Sequence, residues 1–224
     1  MKLHALVNIY NDRTFLGACL EGLKGNVDNI IVADGAYQQY LETYKKEHPA
    51  AQPYSTDGSL EILKAFTDLP PVTILTNGQA PWVNQCVKRT ALLDAVPDGD
   101  WFLIIDADEQ INGDFAEGME AIYDSGCIAG RFSMFNVGNF SDRYEYLWHP
   151  RTFKKLKGMH YKGTHWHLRD GFGRIVEEKY PVHFTEKFVL LHYKAFKTQS
   201  RLAPHQEYML QKAGHGWLEH GNGE

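Results

Sequence analysis

The sequence predicts an α/β chain, with a mostly parallel, doubly wound sheet followed by a mixed, aromatic and basic C-terminal part. Three observations carry that expectation. Strand-like apolar runs alternate with helix-period segments through about residue 125. Polar residues cluster just beyond the strand-like runs, at Asn11-Asp12, Asp34-Gly35 and Asp106–Glu109. After residue 130 the segments become shorter, aromatic and basic.

Leu3–Tyr10 is a β-rich apolar run that ends at Asn11-Asp12. Phe15, Leu16, Cys19, Leu20 and Leu23 then share one helical face, which Asn11 or Asp12 would cap and Gly25 would stop. Asn29–Ala33 is nearly continuous apolar sequence, as suits a strand buried on both faces. Tyr37–Tyr54 is polar and rich in Tyr and Lys. Asp57 would cap a helix over Gly58–Phe66, and Pro71–Leu75 reads as a third strand. Val83–Val96 reads as a helix with Val83, Val87, Ala91 and Leu93 among its apolar positions. Trp101–Ile105 is a fourth strand that ends at Asp106. Phe115–Tyr123 is a helix, Ile128–Phe135 a strand, and Pro204–Ala213 the next helical period. No low-complexity linker or internal repeat interrupts the chain. A single domain over 1–224 is expected, with 1–125 and 126–224 as its two halves.

Composition excludes several classes. The 224 residues are 43% hydrophobic and 23% charged, which is neither disordered nor low-complexity usage. The net charge of −5 argues against a general nucleic-acid binder. That total hides an asymmetry. Residues 1–150 carry 10 Lys/Arg against 21 Asp/Glu, whereas residues 151–201 carry 12 against 4. Nine of the 11 histidines also lie from His149 onward. The start, MKLHALVNIYND, does not read as a signal peptide, and no apolar run approaches the roughly 20 residues of a membrane span. The three cysteines (Cys19, Cys86, Cys127) are widely spaced without a CxxC, so neither a disulfide framework nor a cysteine zinc site is expected. Cys19 and Cys86 read as small buried hydrophobes. A cytoplasmic, reducing setting fits these features.

The segment GDWFLIIDADEQI carries the most chemistry. Asp106, Asp108 and Glu109 follow an apolar strand, and carboxylates this close repel one another. A hard divalent cation would relieve that repulsion, and Mn²⁺ or Mg²⁺ would bridge the carboxylates to a diphosphate. The alternative is a solvated, helix-capping loop. The position at a strand end in an alternating α/β pattern favours the cation.

With these segments in order, the sequence resembles a family-2-type glycosyltransferase of the GT-A fold. LVNIYND looks like the family's first strand, and NIIVADG like its second strand with the Asp-Gly that follows. STDGSLEIL looks like its Ser-Thr-Asp-Gly-Thr segment, QCVKRTALL like its Arg-Asn helix, and GDWFLIIDADEQI like its Asp-x-Asp strand end. RTFKKLKGMHYKGTHWHL and VLLHYKAF match later segments more weakly. Together they span roughly residues 1–210. Three departures stand out. About 18 residues, Tyr37 to Tyr54, intervene before Ser-Thr-Asp-Gly; Thr90 stands where Asn is usual; and Trp166 takes the place of a Glu.

The resemblance implies an inverting, hexosyltransferase-like transfer from a nucleotide-sugar donor, a UDP-sugar by preference. Asp108 would be a direct metal ligand, with Asp106 touching ribose or metal and His192 as a distal ligand. Asn8, Tyr10 and Asp34 would hold the base, Tyr10 by stacking and Asp34 by accepting the uracil imide N–H. Lys88 or Arg89 would approach the base or the diphosphate. The general base stays open among Asp170, His165 and Glu109, with His167 a further candidate on the same strand face as His165. The basic run Arg151, Lys154, Lys155, Lys157 and Lys162 would steer the donor or receive an anionic acceptor, whether a glycan precursor or a base in nucleic acid. Two other classes compete. A nucleotidyltransferase would need a Gly-rich basic loop after the first strand, where this chain offers Arg13 and Gly17. A non-catalytic carbohydrate- or nucleic-acid-binding module would not need the Asp-Ala-Asp-Glu sequence.

Overall fold

A computed structural model describes residues 1–66, 70–138, 144–146, 150–163 and 167–193. In chain order the first half runs β1 (Leu3–Ile9), α1 (Arg13–Leu23), β2 (Asn29–Asp34), α2 (Gln38–Tyr44), α3 (Ser59–Ala65), β3 (Val72–Leu75), α4 (Gln85–Asp94) and β4 (Trp101–Asp106). It continues through β5 (Glu109–Gly113), α5 (Phe115–Asp124), β6 (Ala129–Asn136), β7 (Tyr144–Tyr146), β8 (Thr152–Lys154), β9 (His160–Tyr161), β10 (Leu168–Arg169), α6 (Val176–Lys179) and β11 (Val182–His192).

One curled sheet takes the order β3-β2-β1-β4-β8-β6-β11-β5, with β7 beside β6. The β3-β2-β1-β4 portion is parallel throughout. Beyond it, β8 runs antiparallel to both β4 and β6, β11 parallel to β6, and β5 antiparallel to β11. The expected α/β class, with a parallel first part of the sheet and a mixed second part, is therefore observed. Curling follows from connectivity. Asp106 ends β4 and Glu109 begins β5, and three residues span at most about 10 Å. Four strand spacings in a flat sheet would be about 19 Å.

Both faces of the sheet are buried, which explains the unbroken apolar strands. Ala5, Val7, Ile9, Leu103 and Ile105 pack beneath Leu16, Leu20 and Leu23 of α1 and Met119 and Ile122 of α5. Leu6, Ile31, Ala33, Phe102 and Ile104 face the other way, against Leu92 and Leu93 of α4 and Tyr161 and Leu168 of the β9–β10 hairpin. This period-two alternation puts Asn8 and Asp106, which are in register, on the α4 side.

Three sequence expectations change here. The 83–96 helix begins at Gln85, where Asn84 Oδ1 accepts the Val87 N–H at 2.9 Å. Its expected apolar positions Val83 and Val87 are exposed, and Lys88 and Arg89 face inward instead. The polar 37–54 insertion contains α2, whose Tyr40 and Leu41 form a small third core with Tyr10 and Ala36. Cys86 is half-exposed rather than buried. The 204–213 helix lies outside the described residues.

Candidate active site

The carboxyl ends of β1, β2 and β4 meet at one edge of the sheet, and the segment after the insertion braces them. Ser55 donates its N–H and hydroxyl to the two oxygens of Asp34, at 3.1 and 2.5 Å. Ser55 Oγ accepts from Asn11 N–H at 2.8 Å, and Asn11 Oδ1 accepts from Thr56 N–H at 2.8 Å. Asn11 adopts a left-handed φ of 53°, a conformation that Asn tolerates better than most residues. Asp57 caps two helices: Oδ2 accepts from Arg13 N–H at 2.9 Å, and Oδ1 from Ser59 N–H at 3.0 Å. Neither Asn11 nor Asp12 supplies the side-chain cap for α1 expected from sequence. Gly35 follows Asp34 at φ +114°, and a Cβ there would come within 2.8 Å of Pro53 O. The Asp-Gly pair thus lets the insertion close tightly over β2.

Lys88 enters this region from α4. Its ammonium is fully buried and donates to Ile9 O at 2.8 Å and Gly35 O at 2.7 Å, joining the ends of β1 and β2. Burial lowers its pKa from 10.5 to about 7, against the opposing pull of Asp34 and Asp12. Asn8 sits beside Asp106, and both of its side-chain polar atoms are buried without a hydrogen-bond partner among the described residues. A buried amide with no partner is costly unless a ligand completes it.

The acidic cluster is an ordered network rather than a solvated loop. Asp106 Oδ1 lies 3.2 Å from Arg89 and its Oδ2 3.9 Å from Arg151. Glu109, buried at 1% exposure, pairs with Arg151 at 2.8 Å and accepts the Asp106 N–H at 2.8 Å. Burial raises the Glu109 pKa, with Arg151 opposing and Asp106 reinforcing the shift. Asp108 is also buried and faces His192 Nε2 at 3.2 Å. His192 Nδ1 meets Asn136 Oδ1 at 2.9 Å. With Nδ1 donating to that amide oxygen, Nε2 is the ring atom that faces Asp108. Either a proton on Nε2 or a cation between the two atoms can join them. The separation is close to the ~3 Å between adjacent ligands on an octahedral ion with bonds near 2.1 Å. An oxygen and an imidazole nitrogen form a donor set that suits Mn²⁺. Among the described residues no group of three or more His, Cys, Asp or Glu that could hold a metal occurs.

Several expected site residues stand in surroundings that sequence does not reveal. Tyr10 is buried with its ring edge-on to Tyr40 and Tyr44, at 5.9 and 6.0 Å, and its hydroxyl on Gln52 O. The folded insertion covers the ring, so stacking on a uracil does not fit its position. Asp170 does not fit the role of general base. Its Oδ1 accepts from the N–H groups of Phe172 and Arg174, and its Oδ2 from Arg174 Nε and the Tyr180 hydroxyl. Burial alone would raise its pKa, but those hydrogen bonds outweigh it and hold the carboxyl at about 2. Glu109 has both oxygens engaged as well. His165 and Trp166 lie outside the described residues. His167 stands 3.9 Å from Glu177.

Sequence reasoning points to neither Asn136 nor Trp82, and it places Arg151 in a basic run, although Arg151 is the partner of Glu109. Asn136 orients His192, and Trp82 Nε1 donates to Asp34 O at 2.6 Å. Each acts across more than 40 residues, a separation that no local pattern reports. Lys155 is likewise buried, 3.8 Å from Asp98, whereas Lys157 and Lys162 are exposed.

No family model matches the chain, and no curated protein matches it. Among solved structures, S. aureus TarS 1-349 in complex with UDP-GlcNAc is similar at 13% identity and a TM-score of 0.58, over 94% of this chain and 66% of that one. The S. aureus TarS 1-349 structure without that ligand aligns at 17% identity and a TM-score of 0.48, over 63% of this chain and 38% of that one. A 4-diphosphocytidyl-2C-methyl-D-erythritol synthase from Anaerococcus prevotii aligns at 9% identity and a TM-score of 0.45, over 94% and 96% of the two chains. The chain thus spans less than two thirds of the TarS chains it matches. The fold is GT-A-like. Among the described residues no helix is long and apolar enough to cross a membrane.

Proposed function

We propose that this chain is a family-2-type glycosyltransferase that moves a sugar, with inversion, from a UDP-sugar to an acceptor hydroxyl. The observation that carries the reading is the Asp108–His192 pair, a carboxylate and an imidazole facing each other at 3.2 Å beside the β4 end. Asp108 and His192 would hold Mn²⁺, or Mg²⁺, with Asp106 near the ribose or an outer water. The bound ion would supply charge neutralisation for the leaving diphosphate. Arg89 and Arg151 lie next to this place and balance Asp106 and Glu109, so the site is not left strongly anionic toward an anionic donor. Asn8 would complete its amide on the donor. Asp34, braced by Ser55, fixes the floor of the base site, and Lys88 holds the β1 and β2 ends together. The general base would be His165 or His167, because Asp170 and Glu109 are saturated with partners.

The nucleotidyltransferase reading is less well supported. The β1–α1 connection is three residues, Tyr10 to Asp12, closed on Ser55 and Ser59 rather than open around a triphosphate. The test is UDP release from a panel of UDP-sugars with Mn²⁺, paired with thermal-shift measurements. A selective shift and UDP release, lost in Asp108→Ala and with chelator, are expected. Pyrophosphate release from nucleoside triphosphates, or UDP release that survives chelation, would overturn the reading.

A further inference from the structure

The β9–β10 hairpin leads into a tip that the proposed reaction leaves unused. Phe172 stands there with 84% of its surface exposed. The tip is well ordered by its hydrogen bonds. Asp170 gathers four donors around it, and backbone bonds from Asp170 N–H to Arg174 O and from Gly173 N–H to Asp170 O, both 2.9 Å, close the turn. A second loop abuts it through two glycines. A Cβ on Gly158 would lie 2.9 Å from Gly171 Cα, and one on Gly171 would lie 2.7 Å from Lys157 O. Lys157 is therefore fixed beside the Phe172 turn.

The surroundings are basic. The Arg174 guanidinium lies 4.9 Å from the Phe172 ring centroid, and Asp170 balances its charge. Lys157 and Lys162 are exposed, and Arg169 donates to the carbonyls of Lys162 and Gly173, which carry no charge. The tip is also tied to the candidate active site. Leu168 pairs with Tyr161, and the Tyr161 N–H donates to Thr90 Oγ1 on α4, one residue from Arg89. Four residues separate Leu168 from Phe172, at most about 13 Å of chain. An acceptor extended by a few units could touch both places.

We propose that Phe172, Lys157 and Lys162 form a subsite for an anionic glycan acceptor. The apolar face of a sugar ring stacks on Phe172, while a phosphate or carboxylate further along meets the lysines. The proposal rests on the transferase reading and names its acceptor class. A polynucleotide is the competing occupant, and the oligothymidylate probe reads it separately. A bilayer fits less well, because the guanidinium on the ring face would have to enter with it.

The test uses the full chain and measures equilibrium binding by calorimetry. The probes are tetragalacturonate, a phosphorylated mannan fragment, neutral cellotetraose, a 12-nucleotide oligothymidylate and phosphatidylserine vesicles. An anionic oligosaccharide should bind better than cellotetraose. Phe172→Ala should weaken that binding about tenfold, the loss expected for one aromatic contact. The Lys157→Gln/Lys162→Gln double variant should weaken it and flatten its salt dependence, and both variants should bind UDP as the parent does. Equal binding by Phe172→Ala, no preference for anionic over neutral glycan, or Phe172 dependence seen only with oligothymidylate or vesicles would overturn the proposal. Phe172-dependent glycan binding without binding of any UDP-sugar would refute the transferase reading and leave the subsite standing.

Discussion

Replacing Lys88 by Met should change how stability depends on pH more than it changes stability itself. The Lys88 ammonium is fully buried on two carbonyls, and burial brings its pKa from 10.5 to about 7. In the unfolded chain the value returns to the ordinary range. Between about pH 7 and pH 10.5 the unfolded state therefore binds more protons at this residue than the folded state does. The sign follows directly: the Lys88 contribution makes stability rise with pH across that window, and the gain is lost as pH falls toward 7. The limiting slope is about 1.4 kcal/mol per pH unit. From pH 7, where the folded lysine is half protonated, to pH 9 the integrated change is about 2 kcal/mol.

At any single pH, two opposed effects blur the Met variant. It relieves the buried charge but leaves the Gly35 carbonyl without that donor, at about 1–3 kcal/mol, while Ile9 O keeps the Gly35 N–H. The pH dependence avoids this ambiguity, because every other titrating group is common to both proteins. Urea unfolding followed by circular dichroism at pH 7, 8 and 9, at constant ionic strength, gives the comparison. The stability of the parent relative to Lys88→Met should increase by about 2 kcal/mol between pH 7 and 9. Parallel profiles would refute the buried, pKa-lowered lysine.

Two further perturbations address the acidic network. Arg151→Met strands the carboxylate of Glu109, which is 1% exposed, and should cost about 3 kcal/mol in urea unfolding. Adding Glu109→Gln should recover much of that loss, and a double variant no better than the single would show that the pair is not coupled. Asn136→Ala removes the acceptor that fixes the His192 tautomer, and should lower Mn²⁺ affinity about 10- to 100-fold with unfolding unchanged. Titration calorimetry measures this directly, and an unaltered affinity would remove His192 from the metal pair.

The fold was legible in sequence where the period was unambiguous. The β1, β2 and β4 runs are continuous apolar stretches because α1 and α5 cover one face and α4 the other, and the polar residues beyond them fall together at one edge of the sheet. Sequence failed where a residue's partner is distant or its type is misleading. Lys88 and Arg89 read as the polar side of a helix, yet they face the sheet because carbonyls and Asp106 await them there. The insertion reads as polar, but its tyrosines pack on Tyr10 once the chain doubles back at Gly35. Asp170 has the chemistry of a base, and only its hydrogen-bond partners reveal that it organises a turn.

The charge pattern can then be followed to the site itself. The carboxylates at 106, 108 and 109 suggest a strongly anionic pocket in need of cations. Two of them already have one. Arg89, from the acidic half, lies on Asp106, and Arg151, from the basic half, lies on Glu109. On the proposed reading, Asp108 and His192 would hold a single divalent ion, because Asp106 and Glu109 are engaged by guanidiniums. Two metal ions, as in a carboxylate-bridged phosphoryl-transfer centre, would require Glu109 or Asp106 to leave its guanidinium. On the proposed reading, Mn²⁺ should therefore bind with a stoichiometry of one per chain in the presence of UDP. A second tight site would mean that the Arg151–Glu109 pair opens on donor binding, and Arg151→Met would then strengthen that second site rather than only weaken the fold.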